Sequence, residues 1–201
     1  MKKVNEDLHG NAPDKSPVAM LIIDMINDLE FPGGDELLAP AREAASHIAA
    51  LKERAKAHNI PIVYANDNFG RWRSDFNEVV EHVLSDGVRG RALADILKPE
   101  PGDYFVLKPK NSAFYETTLD LLLTYLNTKR LILTGISTDS CVLFSANDAY
   151  LRDLQLFIPH DCVASIKPTH TTDALAYMKR VLYADTTPSD KLDLVALHQD
   201  I

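Results

Sequence analysis

The chain has 201 residues, enough for one domain with a full core, and its 46% hydrophobic and 25% charged residues are typical of a globular protein. The formal net charge of −8 argues against a nucleic-acid partner, because phosphate binding needs clustered Lys and Arg. The sequence has no apolar run near the roughly 18 residues of a membrane span, no apolar secretory segment at its start and only two cysteines, so we expect a cytoplasmic protein without a membrane partner.

Short apolar runs recur along the chain after a polar start. Residues 1–15 are interpreted as a flexible N-terminal arm and residues 16–201 as a single domain. Apolar runs without alternation are typical of strands that are buried on both faces of a parallel sheet. The predicted strands are Val18–Ile23, Ile60–Tyr64, Tyr104–Leu107, Leu131–Leu133 and Leu154–Ile158.

Helical patterns lie between these runs. They cover Asp35–Ala57, Glu116–Leu126, Ser140–Leu151 and Thr171–Leu182, and the less regular Asn66–Leu97 is expected to hold a loop with one or two helices. Strands that alternate with helices predict a Rossmann-like α/β fold, a three-layer α/β/α domain with a mostly parallel sheet of five to six strands. Ligands of such sheets bind at the carboxyl ends of the strands.

Three chemically capable side chains follow predicted strands. Alone, Asp24 is best explained as a cap of the next turn, and Lys108 as a solvated lysine at a strand end. Cys141 follows a turn that contains Gly135, and alone it is best explained as a buried structural cysteine. Near the start of a helical pattern, however, the pKa of a thiol is lowered and the sulfur becomes a nucleophile. Together the three strand ends indicate a thiol-based active site.

The residue sequences of these three segments are similar to those of a known family. The matching pieces are Ile23-Asp24-Met25-x-Asn27-Asp28, Lys108 with Ser112-Ala113-Phe114, and Thr134-Gly135-Ile136-Ser137-Thr138-x-x-Cys141-Val142. In this order they resemble the isochorismatase-like cysteine hydrolase superfamily, over roughly Val18 to Met178. That superfamily includes nicotinamidases, carbamoylsarcosine amidases, ureidoacrylate and biuret hydrolases, and isochorismatases.

The resemblance implies an isochorismatase-like hydrolase fold and a catalytic triad of Asp24, Lys108 and Cys141. It also implies a cis peptide bond between Ile136 and Ser137, with the N–H groups of Ser137 and Cys141 as oxyanion donors. The expected reaction is cleavage of a C–N bond in a small amide, carbamoyl or ureido compound through a covalent thioester-type intermediate. Family members are often dimers or tetramers, so a homo-oligomer is expected.

The sequence identifies the residues that contact the substrate less specifically than the catalytic residues. Asn68, Phe69, Trp72 and Ile136 are expected to line the pocket, although a lone Trp is as often part of a core or interface. Nicotinamidases carry a metal site of an aspartate and histidines after the second strand. Here Asp67 is followed by no histidine in the Asp-x-His spacing. We therefore expect neither a metal nor another cofactor, and nicotinamide becomes a less favoured substrate.

Other functions stay open at this point. Isochorismatases generally lack a cysteine at the nucleophile position, so Cys141 argues against that reaction without removing it. A catalytically idle family member that binds a metabolite or a partner is a second alternative. A flavodoxin-like binding module is a third, and it is disfavoured because the acidic segment from Asp24 to Asp28 would repel a phosphate.

Overall fold

The computed structural model describes residues 15–68 and 75–199. One parallel sheet has the strand order β3-β2-β1-β4-β5, with β6 pairing with β4. The strands are β1 (Val18–Ile23), β2 (Ile62–Asp67), β3 (Tyr104–Lys108), β4 (Arg130–Ile136), β5 (Gln155–Phe157) and β6 (Val163–Ala164). The helices are α1 (Gly34–Ala57), α2 (Phe76–Ser85), α3 (Arg91–Ile96), α4 (Leu119–Leu126), α5 (Leu143–Tyr150), α6 (Pro168–Val181) and α7 (Leu194–His198).

The central strand β1 explains the layered architecture. All six of its residues are completely buried, which agrees with an apolar run that shows no alternation of polarity. Side chains of a strand point to opposite faces in turn. Val18, Met20 and Ile22 therefore enter one hydrophobic core, and Ala19, Leu21 and Ile23 enter another. The predicted parallel sheet covered on both faces is confirmed.

Each core is closed by its own set of helices. The first core contains apolar residues of α1, α2, α3 and α7, and the second contains residues of α4, α5 and α6. Within residues 15–68 and 75–199, no helix is long and apolar enough to cross a membrane. The N-terminal arm predicted for residues 1–15 falls, except for Lys15, outside the described residues, and the single-domain interpretation stays a prediction.

The predicted boundaries differ from the structure in a few places. The last predicted helix begins earlier, at Pro168, because proline suits the first position of a helix, where its missing N–H costs nothing. The two-residue β6 was not predicted, since so short a strand has no sequence pattern of its own. The segment Thr138–Val142 is a π-helical turn that leads into α5, and not the first turn of an α-helix.

Gly135 allows β4 to lie close to β1 at the carboxyl end of the sheet. Its φ is +115°, and a Cβ atom built there would lie 2.0 Å from the carbonyl oxygen of Ile23. Ile23 is the residue that pairs with Gly135, so the clash is with the backbone of the paired strand. Only glycine fits this position, two residues before the loop that carries Cys141 begins at Ser137.

We expect Gly135→Ala to lower the free energy of unfolding by about 3 kcal/mol or more, because it adds a backbone clash to a strained φ. Urea denaturation followed by circular dichroism measures the loss.

Gly102→Ala is the matched control. Gly102 also has a positive φ, +100°, but a Cβ there meets nothing within 4 Å. We expect this variant to lose only about 1 kcal/mol. Equal losses in the two variants would contradict the steric argument at Gly135.

Candidate active site

Three strand ends bring the chemically capable side chains together. Asp24 directly follows β1, Lys108 ends β3, and Cys141 lies in the π-helical turn that follows β4. In the sheet order, β3 is two strand positions away from β1, a separation of about 10 Å. A lysine stem together with an aspartate side chain is long enough to span that gap. The length of Lys108 is thus matched to the topology.

The Lys108 ammonium group is the centre of the cluster. It is completely buried, and its Nζ lies 2.8 Å from Asp24 Oδ2 and 3.5 Å from Cys141 Sγ. Nζ also donates to the carbonyl of Lys110 at 3.3 Å and lies 3.7 Å from Asp67 Oδ2. Burial opposes the charge, but the negative charge of Asp24, joined by that of Cys141 once the thiol ionises, more than offsets it, so the pKa of Lys108 is raised. The lysine is therefore a permanent cation.

The Asp24 carboxyl group is nearly buried and held on both oxygens. Oδ2 faces Lys108, and Oδ1 accepts the backbone N–H of Asp67 at 2.8 Å. Burial raises the pKa of Asp24, while the nearby Lys108 charge and the hydrogen bond to Cys141 act in the opposite direction. The backbone φ of Asp24 is +53°, a conformation that aspartate adopts more readily than most residues. A buried carboxyl beside a thiol and a cation is suited to moving a proton.

The thiol itself corrects one expectation from the sequence. A helix start was expected to lower the pKa of Cys141, but burial and the negative charge of Asp24 raise it to about 12, against the opposing effect of Lys108. The expectation was wrong because Cys141 lies within a buried turn, where the loss of hydration outweighs the dipole of a short following helix. The resting sulfur is a protonated thiol that depends on a neighbouring base.

The backbone around Cys141 has two unusual features. The peptide bond between Ile136 and Ser137 is cis. Beyond it, the carbonyl of Ser137 accepts the N–H groups of Ser140 and Val142, each at 3.1 Å. In an α-helix that carbonyl would be the partner of the Cys141 N–H, four residues later. The π-helical pairing gives it to Val142 instead, and so changes where the Cys141 N–H can point.

The remaining predicted site residues have different outcomes. Asn68 is buried, and its N–H donates to the carbonyl of Lys108 at 3.1 Å, while Ile136 is buried at the end of β4. Phe69 and Trp72 lie outside the described residues, so their role in the pocket stays a prediction. Across residues 15–68 and 75–199, no group of three or more His, Cys, Asp or Glu is placed to hold a metal ion.

Sequence reasoning missed Ser145 and gave no role to Ser112 and Asp148, which the resemblance included; all three side chains support this cluster. Ser145 is completely buried and donates to the carbonyl of Cys141 at 2.7 Å, and Asp148 accepts from Ser112. Their spacing from Cys141, four and seven residues, places all three on one face of the helical segment. That periodicity was the available signal, but it cannot tell which loop the face contacts.

Comparison with known proteins agrees with this geometry. The family model of the isochorismatase domain matches residues 18–189. The isochorismatase family protein YaaI of Bacillus subtilis is 40% identical over 178 residues, which cover 89% of this chain and 97% of YaaI. The ureidoacrylate amidohydrolase RutB of Methylorubrum extorquens is 41% identical over 168 residues, which cover 70% of this chain and 66% of RutB.

A solved structure has the same fold. The N-carbamoylsarcosine amidase of Thermoplasma acidophilum superimposes with a TM-score of 0.68 at 26% identity, covering 88% of this chain and 98% of that protein. A family model that spans most of the chain, a curated relative of matching length and a shared fold all agree. The chain therefore belongs to the isochorismatase family of hydrolases.

Proposed function

We propose that this protein is a cysteine hydrolase that cleaves a C–N bond in a small amide, carbamoyl or ureido compound. One observation carries the proposal: a single buried ammonium group, Lys108 Nζ, lies 2.8 Å from a carboxylate and 3.5 Å from a thiol. Asp24 is then the general base and acid, Cys141 the nucleophile, and Lys108 the cation that stabilises whichever of the two carries the negative charge.

The reaction starts from ionised Asp24 and a neutral thiol. Asp24 takes the proton of Cys141, and the sulfur attacks the carbonyl carbon of the substrate. Asp24 returns that proton to the nitrogen as the C–N bond breaks, so an amine or ammonia leaves and a thioester-type intermediate stays on Cys141. Water then attacks the intermediate, Asp24 passes the water proton to the sulfur, and the acid product leaves.

Backbone N–H groups of Ser137 and Cys141 are the proposed oxyanion donors. The π-helical turn supports this role, since the Ser137 carbonyl is taken by Val142 and Ser140. Such a donor contributes about 2.7–4 kcal/mol to transition-state stabilisation where it has been measured. Ile136, Asn68, Phe69 and Trp72 are proposed to contact the remainder of the substrate.

The names of two relatives support the substrate class. Ureidoacrylate amidohydrolase and N-carbamoylsarcosine amidase are both named for substrates that contain a carbamoyl-nitrogen group. Ureido and N-carbamoyl acids therefore come first in a screen, followed by primary amides and nicotinamide. A protein of this fold that turned over none of them would be assigned to the idle, metabolite-binding alternative.

The first test compares the two cysteines. Wild-type protein is incubated with N-carbamoyl amino acids, ureido acids and amides, and release of ammonia is measured. We expect Cys141→Ala to lose at least about 10³-fold in kcat, because no other nucleophile can form the intermediate. After rapid acid quenching, intact mass should reveal a covalent adduct on Cys141 in the wild-type protein.

Cys162→Ala is the matched control, since Cys162 is the other free thiol and is completely buried. We expect it to retain activity with only a modest loss of stability from the small cavity. Turnover by folded Cys141→Ala at the wild-type rate would refute covalent catalysis by this cysteine.

The pH profile tests the base. Because burial raises the pKa of Asp24 above its ordinary 3.8, kcat/KM should fall as the pH drops through a midpoint higher than that value. Burial raises the pKa of Cys141 to about 12 and the pKa of Lys108 is raised as well, so above the titration of Asp24 the rate should stay level up to about pH 10.

Circular dichroism across the same pH range shows whether the protein stays folded, so that acid unfolding is not mistaken for titration. A rate that instead rises with pH through about 8.5, the value of a free thiol, would indicate a nucleophile that ionises without Asp24.

A further inference from the structure

We propose that Ser145 is a positioning residue whose hydroxyl group holds the loop after Lys108 against the backbone of Cys141, and so sets the distance between the ammonium group and the sulfur. This inference rests on the proposed roles of Lys108 and Cys141. Ser145 touches neither the substrate nor the reacting atoms. It acts through its two hydrogen-bond partners, the carbonyl of Cys141 and the N–H of Ala113.

The hydroxyl group of Ser145 joins two separate segments. It donates to the carbonyl oxygen of Cys141 at 2.7 Å and accepts the backbone N–H of Ala113 at 2.9 Å. Ser145 and Ala113 are both completely buried, so the bond between them is shielded from water. Because a hydroxyl group can donate one hydrogen bond and accept others, one atom satisfies both partners at once.

The loop that Ser145 holds is the one that carries the lysine. It runs from the end of β3, at Lys108, to Phe114, and its Lys110 carbonyl accepts from Lys108 Nζ at 3.3 Å. A shift of this loop would therefore move a direct partner of the ammonium group. Since the backbone carbonyl of Cys141 accepts a hydrogen bond from the same Ser145 hydroxyl group, Ser145 fixes the loop relative to the nucleophile.

Two other contacts between the two segments are more exposed. Asn111 Nδ2 donates to Ser140 Oγ at 2.7 Å on the surface, and the Arg152 guanidinium lies 4.7 Å from the centre of the Phe114 ring. Exposed hydrogen bonds and ion pairs contribute little, because water competes for them. A third contact, from the buried Ser112 to Asp148, joins the loop to α5 seven residues beyond Cys141. Among these contacts the bond through Ser145 is the one made to the backbone of Cys141 itself, so we expect it to dominate the alignment.

The reactivity of Cys141 towards iodoacetamide, measured as a function of pH without substrate, tests the proposal. Ser145→Ala removes the acceptor of the Ala113 N–H and loosens the loop. A displacement of Lys108 from the sulfur by about 1 Å would slow alkylation about three- to tenfold at each pH between about 8 and 10, because the thiolate loses stabilisation. Labelling is assigned to Cys141 by peptide mass.

Activity on a substrate of the wild-type protein gives the second readout. Ser145→Ala should lower kcat roughly 10- to 100-fold and leave KM nearly unchanged, as expected for misalignment of reacting groups without loss of substrate contacts. Ser145→Thr retains a hydroxyl group that can bond to the carbonyl four residues earlier, so it should restore most of the alkylation profile and of kcat.

Ser46→Ala is the matched control. Ser46 Oγ makes the same bond to a carbonyl four residues earlier, that of Arg42, but on the exposed face of α1. We expect its alkylation profile and kcat to equal those of the wild-type protein. A structural role for Ser145 alone would lower the melting temperature and leave both quantities unchanged in the folded protein.

The outcomes separate the two proposals. If Lys108→Met shifts the alkylation profile and Ser145→Ala does not, the positioning role is refuted and the proposed function stands. If Lys108→Met also leaves the profile unchanged, the proposed function fails at its cation. Should Ser145→Ala not fold, hydrogen exchange of the wild-type protein decides at the bond itself: an Ala113 N–H that exchanges as slowly as the strand amides supports the proposal, and one that exchanges as fast as an exposed amide refutes it.

Discussion

The structure depends on one buried positive charge. Lys108 is completely enclosed, and such a charge is stable only with an anionic partner and further hydrogen-bond acceptors. Asp24 supplies the charge, and the Lys110 carbonyl supplies an acceptor. Because Cys141 lies within reach of the same ammonium group, a proton that moves from sulfur to carboxylate leaves the net charge of the cluster at zero. In the proposed reaction, the protein therefore does not have to solvate a new charge when the nucleophile forms.

The rest of the fold keeps these three groups at fixed positions. Asp24 and Lys108 are anchored at the ends of β1 and β3, which both pair with β2, and Gly135 brings β4 close enough to β1 for the following turn to reach them. The π-helical turn then directs Cys141, and Ser145 connects this turn to the lysine loop. Rigid backbone on three sides replaces the water that would otherwise orient and stabilise the charges.

Much of this arrangement could be predicted from the sequence. Uninterrupted apolar runs identified the strands, and the polar residue at the end of three of them identified Asp24, Lys108 and Cys141 as neighbours, which the structure places in contact. The direction in which the pKa of Cys141 is shifted could not be predicted, because the shift depends on how deeply the turn is buried. Ser145 was missed since its partner, Ala113, is 32 residues away and carries no chemical signal in its own side chain.

The division of the interior into two cores has a consequence for how such a protein would lose activity. The partly buried Cys141 packs against the core formed by α4, α5 and α6, and Ala113 and Phe114 of the lysine loop belong to the same core. The long helix α1 covers the other face of the sheet. Cooperative opening need not involve a whole domain at once. A subglobal opening of the α4–α6 layer would separate nucleophile from cation while the opposite layer stayed folded, so inactivation on warming can precede the loss of most helical structure.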